Sequence, residues 1–179
     1  MSIDAKVQQS PRRFYRSLIA KTVSQAIHIC DIESSEPVHI QKFQNILSEL
    51  KEAKLQMNIN YLLGYSNFSF ELWLILHRQD CNGSFIHRKQ YLAPICNAFG
   101  EQFGTLDDYK QKDVFERCLN KLNLADVRAA VRRAEGITEF NMQIRKILLQ
   151  YKGYYYYRDN PSLSIHLVIK KILDECGVN

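Results

Sequence analysis

The first hydrophobic pattern along the chain predicts a strand, a helix and a second strand. The run AIHICDIE is rich in β-branched residues and ends in acids, which indicates a strand over residues 27–32. A Ser-Glu-Pro sequence then starts a run of apolar residues at helical spacing, which predicts a helix over residues 37–54. Apolar residues alternate over residues 58–65 and predict the second strand. Two strands joined by one helix are expected to be parallel.

The rest of the chain has the periodicity of helices. The predicted helices span residues 69–79, 88–99, 108–122, 124–135, 138–150 and 162–175. The first of them is apolar on nearly all sides, so we expect it to be buried, with Trp73 and Leu74 in the main core. The pattern predicts an α/β fold in a single domain, residues 1–179. A small parallel βαβ core element at residues 26–66 would carry a predominantly helical C-terminal portion at residues 67–179.

Composition narrows the class of protein. The chain has 179 residues, of which 46% are hydrophobic and 24% are charged, as is usual for a globular domain. No apolar run reaches the about 20 residues of a membrane span, and the first residues lack the apolar segment of a secretory signal. The five cysteines form no CxxC pair, which favours reduced thiols over disulfides or structural zinc. We therefore expect a cytoplasmic protein with no membrane partner.

The positive charge is unevenly distributed. The net charge is +5, but basic residues are concentrated in residues 12–21, 110–135 and 145–171. Residues 12–25 could form a short basic helix after a loosely attached segment at residues 1–11. Such a charge distribution can guide an anionic partner such as nucleic acid, but an ordinary solvated surface is the favoured explanation. The tyrosines at residues 154–157, followed by a basic residue, could stack bases or form a half-exposed strand or loop.

Two polar residues stand out in the run YSNFSFELWLILHR. Asn67 is suited to cap the helix that follows the second strand, and Glu71 would then lie in the first turn, where the helix dipole favours an anion. This local chemistry suffices to explain both residues.

Topology offers a second explanation. In a parallel βαβ unit Asp31 and Glu33, at the end of the first strand, would meet Asn67 and Glu71 at one sheet edge, where open α/β sheets bind ligands. Asp31 and Glu33 would share a face of the strand and could bind Mg²⁺. A solvated turn between strand and helix is the alternative for two acids at this position.

Four segments carry a resemblance to a known family. The run SNFSFELWLILH resembles the signature S-N-P-x-F-E-x-W-L-L-L-H of the RloB-like family. FIHRKQYL resembles the basic and aromatic segment of that family, ADVRAAVRRAE its basic helix, and the Asn-Pro-Ser sequence before the last helix its closing motif. The resemblance covers about residues 27–173. It identifies the chain as similar to small bacterial proteins of abortive-infection and other anti-phage systems.

The resemblance implies a Toprim-like core and a set of site residues. Asp31 and Glu33 would stand where the family has its D-x-D metal ligands, with Mg²⁺ as the cofactor. These two and Glu71 would be the catalytic residues, and the substrate would be contacted by Asn67, His77, Arg128, Arg132 and Asn160. For His77 a core histidine bonded to a backbone carbonyl is the favoured alternative. We expect Arg128 and Arg132, four residues apart, to share an exposed helix face that can bind nucleic acid. The family also implies a partner, an AAA-type ATPase or another defence protein.

Two functions follow from the resemblance. One is a Mg-dependent, Toprim-like nuclease or phosphoesterase of an anti-phage system. The other is a non-catalytic binding or regulatory module of the same kind of system. The family's opening strand and turn, which supplies the first glutamate, has no counterpart in the basic residues before residue 27. We therefore expect an incomplete metal site and favour the binding module.

Overall fold

The structure is a computed structural model that describes residues 25–57 and 59–178. The loose segment predicted at residues 1–11 lies outside the described residues. So does the basic helix predicted at residues 12–25, apart from Gln25, which starts the first strand. The described residues form a mixed α/β fold with many helices and a small sheet.

The predicted strand, helix and strand are present. They are β1 (Gln25–Asp31), α1 (Pro37–Met57) and β2 (Asn60–Asn67). β1 and β2 pair in parallel, and Asp31 lies opposite Ser66 at the carboxyl end of the pair. Just before α1, the Ser34 hydroxyl accepts a hydrogen bond from the backbone N–H of Glu36 at 3.1 Å. The parallel pair therefore brings the polar residues at both strand ends to one edge.

The middle of the chain is helical, as predicted. Its helices are α2 (Glu71–Leu76), α3 (Leu92–Phe99), α4 (Lys112–Leu119) and α5 (Leu124–Gln143). Short 3-10 turns at Arg88–Tyr91 and Asp108–Lys110 come before α3 and α4. All six residues of α2 are buried, and Trp73 and Leu74 are each 5% exposed. The prediction that this helix lies in the core is confirmed.

The helix predicted over residues 138–150 is wrong. α5 runs without a break through Gly136 because its buried stripe of Val131, Ala134 and Ile137 continues across the glycine. The chain then forms a hairpin of β3 (Leu148–Tyr151) and β4 (Tyr154–Tyr157). Its turn is made by Lys152 at φ 52° and Gly153 at φ 91°, the left-handed backbone that tight hairpin turns require.

A third strand in the main sheet was missed by the sequence pattern. β5 (Ser162–Leu163) pairs antiparallel with β2, so the sheet has the order β1-β2-β5 and is mixed. The last helix, α6 (Ile165–Glu175), therefore begins three residues later than predicted. Ser164, between β5 and α6, donates its hydroxyl to the carbonyl of Leu63 and accepts from the N–H of Tyr65. Two residues are too few to show strand periodicity.

Two apolar clusters hold the described residues together. The larger lies among the helices and includes Trp73 of α2. The smaller lies between α1, the sheet and the hairpin, where Phe43, Tyr65 and Tyr156 meet edge to face. At Gly64 an added Cβ would lie 3.2 Å from the Ile29 side chain on the neighbouring strand β1, and 3.5 Å from Ile165 at the start of α6.

Two expectations from composition can be compared with the structure. The five cysteines are all free thiols. Among the described residues, no helix has the length and apolar character needed to cross a membrane.

Burial of Trp73 gives the first prediction. Trp73→Ala should lower the free energy of unfolding by roughly 3–5 kcal/mol, because it removes a large side chain from a packed core. Urea denaturation measures this change. Ile86→Ala is a suitable control, since that side chain is 88% exposed and its loss should change stability by no more than about 0.5 kcal/mol. A cost below about 1 kcal/mol for Trp73→Ala would contradict the packing of α2.

Candidate functional site

The carboxyl ends of β1 and β2 meet at a polar edge of the sheet. Asp31 is the last residue of β1 and lies opposite Ser66 of β2. The hydroxyl of Ser66, which is fully buried, donates a hydrogen bond of 2.5 Å to Oδ1 of Asp31. The parallel register therefore fixes the position of the Asp31 carboxylate at the end of the strand.

Glu71 approaches the same edge from the start of α2. It is only 1% exposed, although its neighbours in the helix are apolar. Ser69 donates its hydroxyl to Oε2, and the Tyr109 hydroxyl donates to Oε1 at 2.6 Å. The Nζ of Lys110 lies 3.8 Å from Oε1. The buried carboxylate is thus satisfied by two hydroxyl donors and has a cation beside it.

Asp31 and Glu71 line one pocket. The pocket has a volume of about 300 Å³, and its other walls are formed by Phe70, Tyr109, Lys110 and Phe115. The prediction that Glu71 faces the sheet edge of Asp31, and not bulk water, agrees with this geometry. We call this cavity the Asp31–Glu71 pocket.

The pocket changes the acidity of its groups. The pKa of Asp31 is raised, first because burial disfavours the charged carboxylate, and further because the charges of Glu71 and Glu33 repel it. Hydrogen bonds from Ser66 and the Phe70 backbone oppose this rise. Burial, helped by the hydrogen bond and charge of Glu71, also raises the pKa of the Tyr109 hydroxyl, so it remains a donor.

Glu33 does not pair with Asp31 on one face of a strand, as the sequence had predicted. β1 ends at Asp31, and Glu33 has left-handed backbone with φ 69°. Its carboxylate binds Lys42 at 2.7 Å and lies 3.4 Å from the imidazole of His39. The hydrogen bond from Lys42 lowers the pKa of Glu33. Strand alternation does not apply because the strand has already ended.

Asn67 does not cap α2. β2 continues through Asn67, and Phe70 occupies the N-cap position without a side-chain cap. The amide nitrogen of Asn67 instead donates to the carbonyls of Tyr157 and Arg158, at 3.3 and 3.1 Å. Its Oδ1 is buried and accepts no hydrogen bond from the described residues. Asn67 therefore ties the sheet edge to the segment that leaves β4.

His77 and Asn160 have structural contacts. His77 is 6% exposed, its Nδ1 lies 2.9 Å from the carbonyl of Trp73, and burial lowers its pKa. Asn160 forms two hydrogen bonds with the backbone of Phe85, through Oδ1 at 2.7 Å and Nδ2 at 2.8 Å. Neither residue lines the Asp31–Glu71 pocket. Their predicted contact with substrate stays a prediction.

The two arginines of α5 do not share an exposed face, which corrects the prediction. Arg132 is exposed, but Arg128 is partly buried and donates to the carbonyl of Val178 at 2.6 Å. The physical reason is that the end of the chain packs beside this turn of α5, which helical spacing alone does not show. Neither arginine lines the Asp31–Glu71 pocket.

The carboxylates at this sheet edge are the candidate ligands for Mg²⁺. Among residues 25–57 and 59–178, no group of three or more His, Cys, Asp or Glu side chains could hold a metal ion. Glu33 is bound by Lys42, and Glu71 has the ammonium of Lys110 beside it. Mg²⁺ prefers several free oxygen ligands at near-octahedral geometry. In this arrangement the residues present do not fit the ion.

Four residues that contact the carboxylates of Asp31 or Glu71 were not predicted from the sequence. Ser66 and Ser69 lie close to Asn67 in the run YSNFSFELWLILHR, and their polar side chains in a mostly apolar run could have indicated a buried hydrogen-bonding role. Tyr109 and Lys110 come from a segment 38 residues beyond Glu71 and show no pattern that points to it.

Comparison with known proteins gives one match. A sequence model of the RloB-like protein family matches residues 4–172, which is nearly the whole chain. No curated protein and no solved structure matches.

The raised pKa of Asp31 gives the second prediction. A carboxyl group whose pKa is higher in the folded protein than in the unfolded chain loses its stabilising contribution as pH rises through that pKa. Asp31→Asn should therefore raise the melting temperature at neutral pH. The gain should shrink as pH falls towards the ordinary aspartate value of 3.8.

Asp108→Asn serves as the matched control for Asp31→Asn. The pKa of Asp108 is lowered by hydrogen bonds from Thr105, so its replacement should reduce stability at neutral pH. Thermal unfolding across a pH series measures both variants. A neutral-pH loss for Asp31→Asn would contradict the assignment of burial as the main influence on Asp31.

Proposed function

The chain belongs to the RloB-like family, and on this premise we propose that it is a binding and regulatory module of a bacterial anti-phage system. In this proposal its Toprim-like sheet edge acts by binding and not by catalysis. The β1-α1-β2 unit, with its acids at the carboxyl ends of parallel strands, supports the Toprim-like comparison. The family match and the Asp31–Glu71 pocket both support this proposal.

The observation that carries the proposal is the engagement of each carboxylate by the protein itself. Lys42 neutralises Glu33, and Lys110 lies in the Asp31–Glu71 pocket beside Glu71. The oxygens that a metal ion would need already accept hydrogen bonds from Ser66 and Tyr109. A lysine can pair with a carboxylate as a metal ion would, but it cannot act as a Lewis acid.

A partly exposed apolar segment supports a protein partner. Five large hydrophobic side chains between the end of α5 and the start of β3 are 44–62% exposed: Phe140, Met142, Ile144, Ile147 and Leu148. Exposed apolar side chains close together often mark protein contacts. We propose that this segment contacts the AAA-type ATPase or other defence protein that the family resemblance implies.

A Mg-dependent nuclease or phosphoesterase is the second candidate. One observation favours it: Asp31 and Glu71 line the same pocket although they are 40 positions apart in the sequence. A buried acid and a half-buried acid whose pKa is raised, together at a sheet edge, are typical of functional sites. Metal-dependent cleavage and metal-dependent stabilisation distinguish this candidate from the binding module.

Lys110→Ala gives the third prediction. If Lys110 takes the place of a metal ion, the parent protein should show no change in melting temperature with Mg²⁺ or Mn²⁺, and Lys110→Ala should gain metal-dependent stabilisation. At metal concentrations about 100 times the dissociation constant, the gain should be roughly 2.7 kcal/mol. Lys112→Ala is the matched control, because this neighbouring lysine is 83% exposed and its cation pairs with Glu116.

A cleavage assay with added metal tests the second candidate. If the parent protein cleaves nucleic acid only with added Mg²⁺, and Asp31→Asn abolishes this activity, the nuclease replaces the binding module as the function. Metal-dependent stabilisation of the parent that Asp31→Asn abolishes would also contradict the role proposed for Lys110.

Phage protection gives the fourth prediction. In cells that carry the gene with its neighbouring genes, Asp31→Asn should protect against phage as well as the parent does, because binding does not need the charge of Asp31. Plating efficiency measures protection. A strain in which the gene is deleted is the negative control. Loss of protection in Asp31→Asn, at the same protein level as the parent, would contradict a purely binding role.

A further inference from the structure

A groove at the other end of the sheet is lined by lysines and tyrosines. It lies where the last turns of α1, the start of β2 and the β3–β4 turn meet, and has a volume of about 330 Å³. Its cations are Lys51, Lys54 and Lys152, and none of the residues that the structure describes adds an acidic side chain to its walls. Asn60 of this groove and Ser66 are six residues apart on β2, so about 20 Å separates the groove from the Asp31–Glu71 pocket. We call it the basic groove.

The lysines of the basic groove carry uncompensated charge. None of the three forms an ion pair with an acidic residue in the described parts of the chain. Lys54 donates to Oδ1 of Asn60 at 2.9 Å, and the Nζ of Lys152 lies 5.9 Å from the ring centre of Tyr151. Lysine near the end of α1 is favoured by the helix dipole. That effect does not account for Lys152, which comes from the hairpin turn.

Tyrosine rings stand beside these cations. Tyr154 and Tyr155 follow the Lys152–Gly153 turn, and Tyr61 comes from β2. Tyr155 is 59% exposed, and its hydroxyl is held by Gln150 at 2.8 Å. Tyr61 and Tyr154 are half-buried against the smaller apolar cluster, which fixes them in place. Rigid aromatic rings next to lysines can hold a flat ring by stacking and its charged group by attraction.

We propose that the basic groove binds single-stranded nucleic acid, with phosphates on Lys51, Lys54 and Lys152 and a base against the exposed ring of Tyr155. An anion without a base would need the cations but not the aromatic ring. Single-stranded nucleic acid would then be one partner of the proposed binding module, so this inference rests on the proposed function. The groove itself shares no residue with the Asp31–Glu71 pocket.

The test measures binding of labelled oligonucleotides by fluorescence anisotropy at low salt. Thymidine and uridine oligomers of about 15 nucleotides fit the site sizes of single-strand binders. An abasic phosphodiester of the same length tests the need for a base, and unlabelled mononucleotide tests whether a single unit suffices. The full chain is used throughout, and circular dichroism with thermal unfolding checks the fold of each variant.

Removal of lysine charges should weaken oligonucleotide binding only when the lysines lie in the basic groove. Lys51→Ala with Lys152→Ala should raise the dissociation constant at least about tenfold and reduce the salt slope by about 1.4, the value expected for two lost phosphate contacts. Lys112→Ala with Lys170→Ala removes the same charge from the exposed surface outside the groove and should change the constant less than about twofold. Equal weakening by both pairs would overturn the groove as the site.

Removal of the ring should weaken binding further. Tyr155→Ala should raise the dissociation constant roughly 5- to 160-fold, whereas Tyr155→Phe keeps the ring and should bind like the parent. No binding by the parent at low salt, equal binding of the abasic polymer, or no effect of Tyr155→Ala would each overturn the proposal. These outcomes differ from failure of the proposed function, which would appear as metal-dependent cleavage or as lost protection in Asp31→Asn.

Discussion

The buried carboxylate of Glu71 is the interaction on which the rest of the described site depends. A charged group with 1% exposure is unfavourable unless its oxygens are satisfied. The hydroxyls of Ser69 and Tyr109 satisfy them, so the segment before α4 is held against the start of α2. Lys110 follows Tyr109 directly and is thereby brought beside the same carboxylate. One hydrogen-bonded acid thus joins the sheet edge to the helical part.

A second set of polar contacts holds the opposite side of this edge. Asn67 donates to the carbonyls of Tyr157 and Arg158 at the end of β4. The side-chain amide of Asn160 accepts from the N–H of Phe85 and donates to its carbonyl. Lys146 donates to the carbonyl of Asn160 at 2.7 Å. These bonds connect the end of β2, the hairpin and the loop before α3. Residues that a family signature marks as polar can therefore have a structural role, because backbone carbonyls removed from water need hydrogen-bond donors.

The two ends of β2 differ in charge and suit different tasks. Its carboxyl end lies beside the acids Asp31 and Glu71, of which only Glu71 has a lysine next to it, and its amino end opens on the basic groove, which no acid of the described residues lines. Binding of a polyanion at the acidic end would meet repulsion, whereas the basic groove attracts it. Separation along one rigid strand would let a ligand at one end and a protein partner elsewhere be bound together. This separation is the arrangement on which the proposed binding and regulatory role relies.

The sequence by itself determined the β1-α1-β2 unit, the buried α2 and the approach of Glu71 to the edge of Asp31. These follow from local periodicity and from the rule that parallel strands end together, both of which are present in short segments. It also pointed to the RloB-like family through the run that contains Asn67. The hairpin, the two-residue strand β5 and the uninterrupted α5 were not predictable in this way, because pairing partners and core contacts override weak local signals.

Only the tertiary structure decided which groups meet the predicted site residues. Tyr109 and Lys110 reach Glu71 from a distant segment, the partners of Asn67 lie 90 and 91 residues away, and Arg128 is covered by the end of the chain. Hydrophobic spacing records which side of an element is buried, but it contains no information about which distant donor lies opposite. For the same reason the basic groove, built from α1, β2 and the hairpin, could not be seen in any one segment.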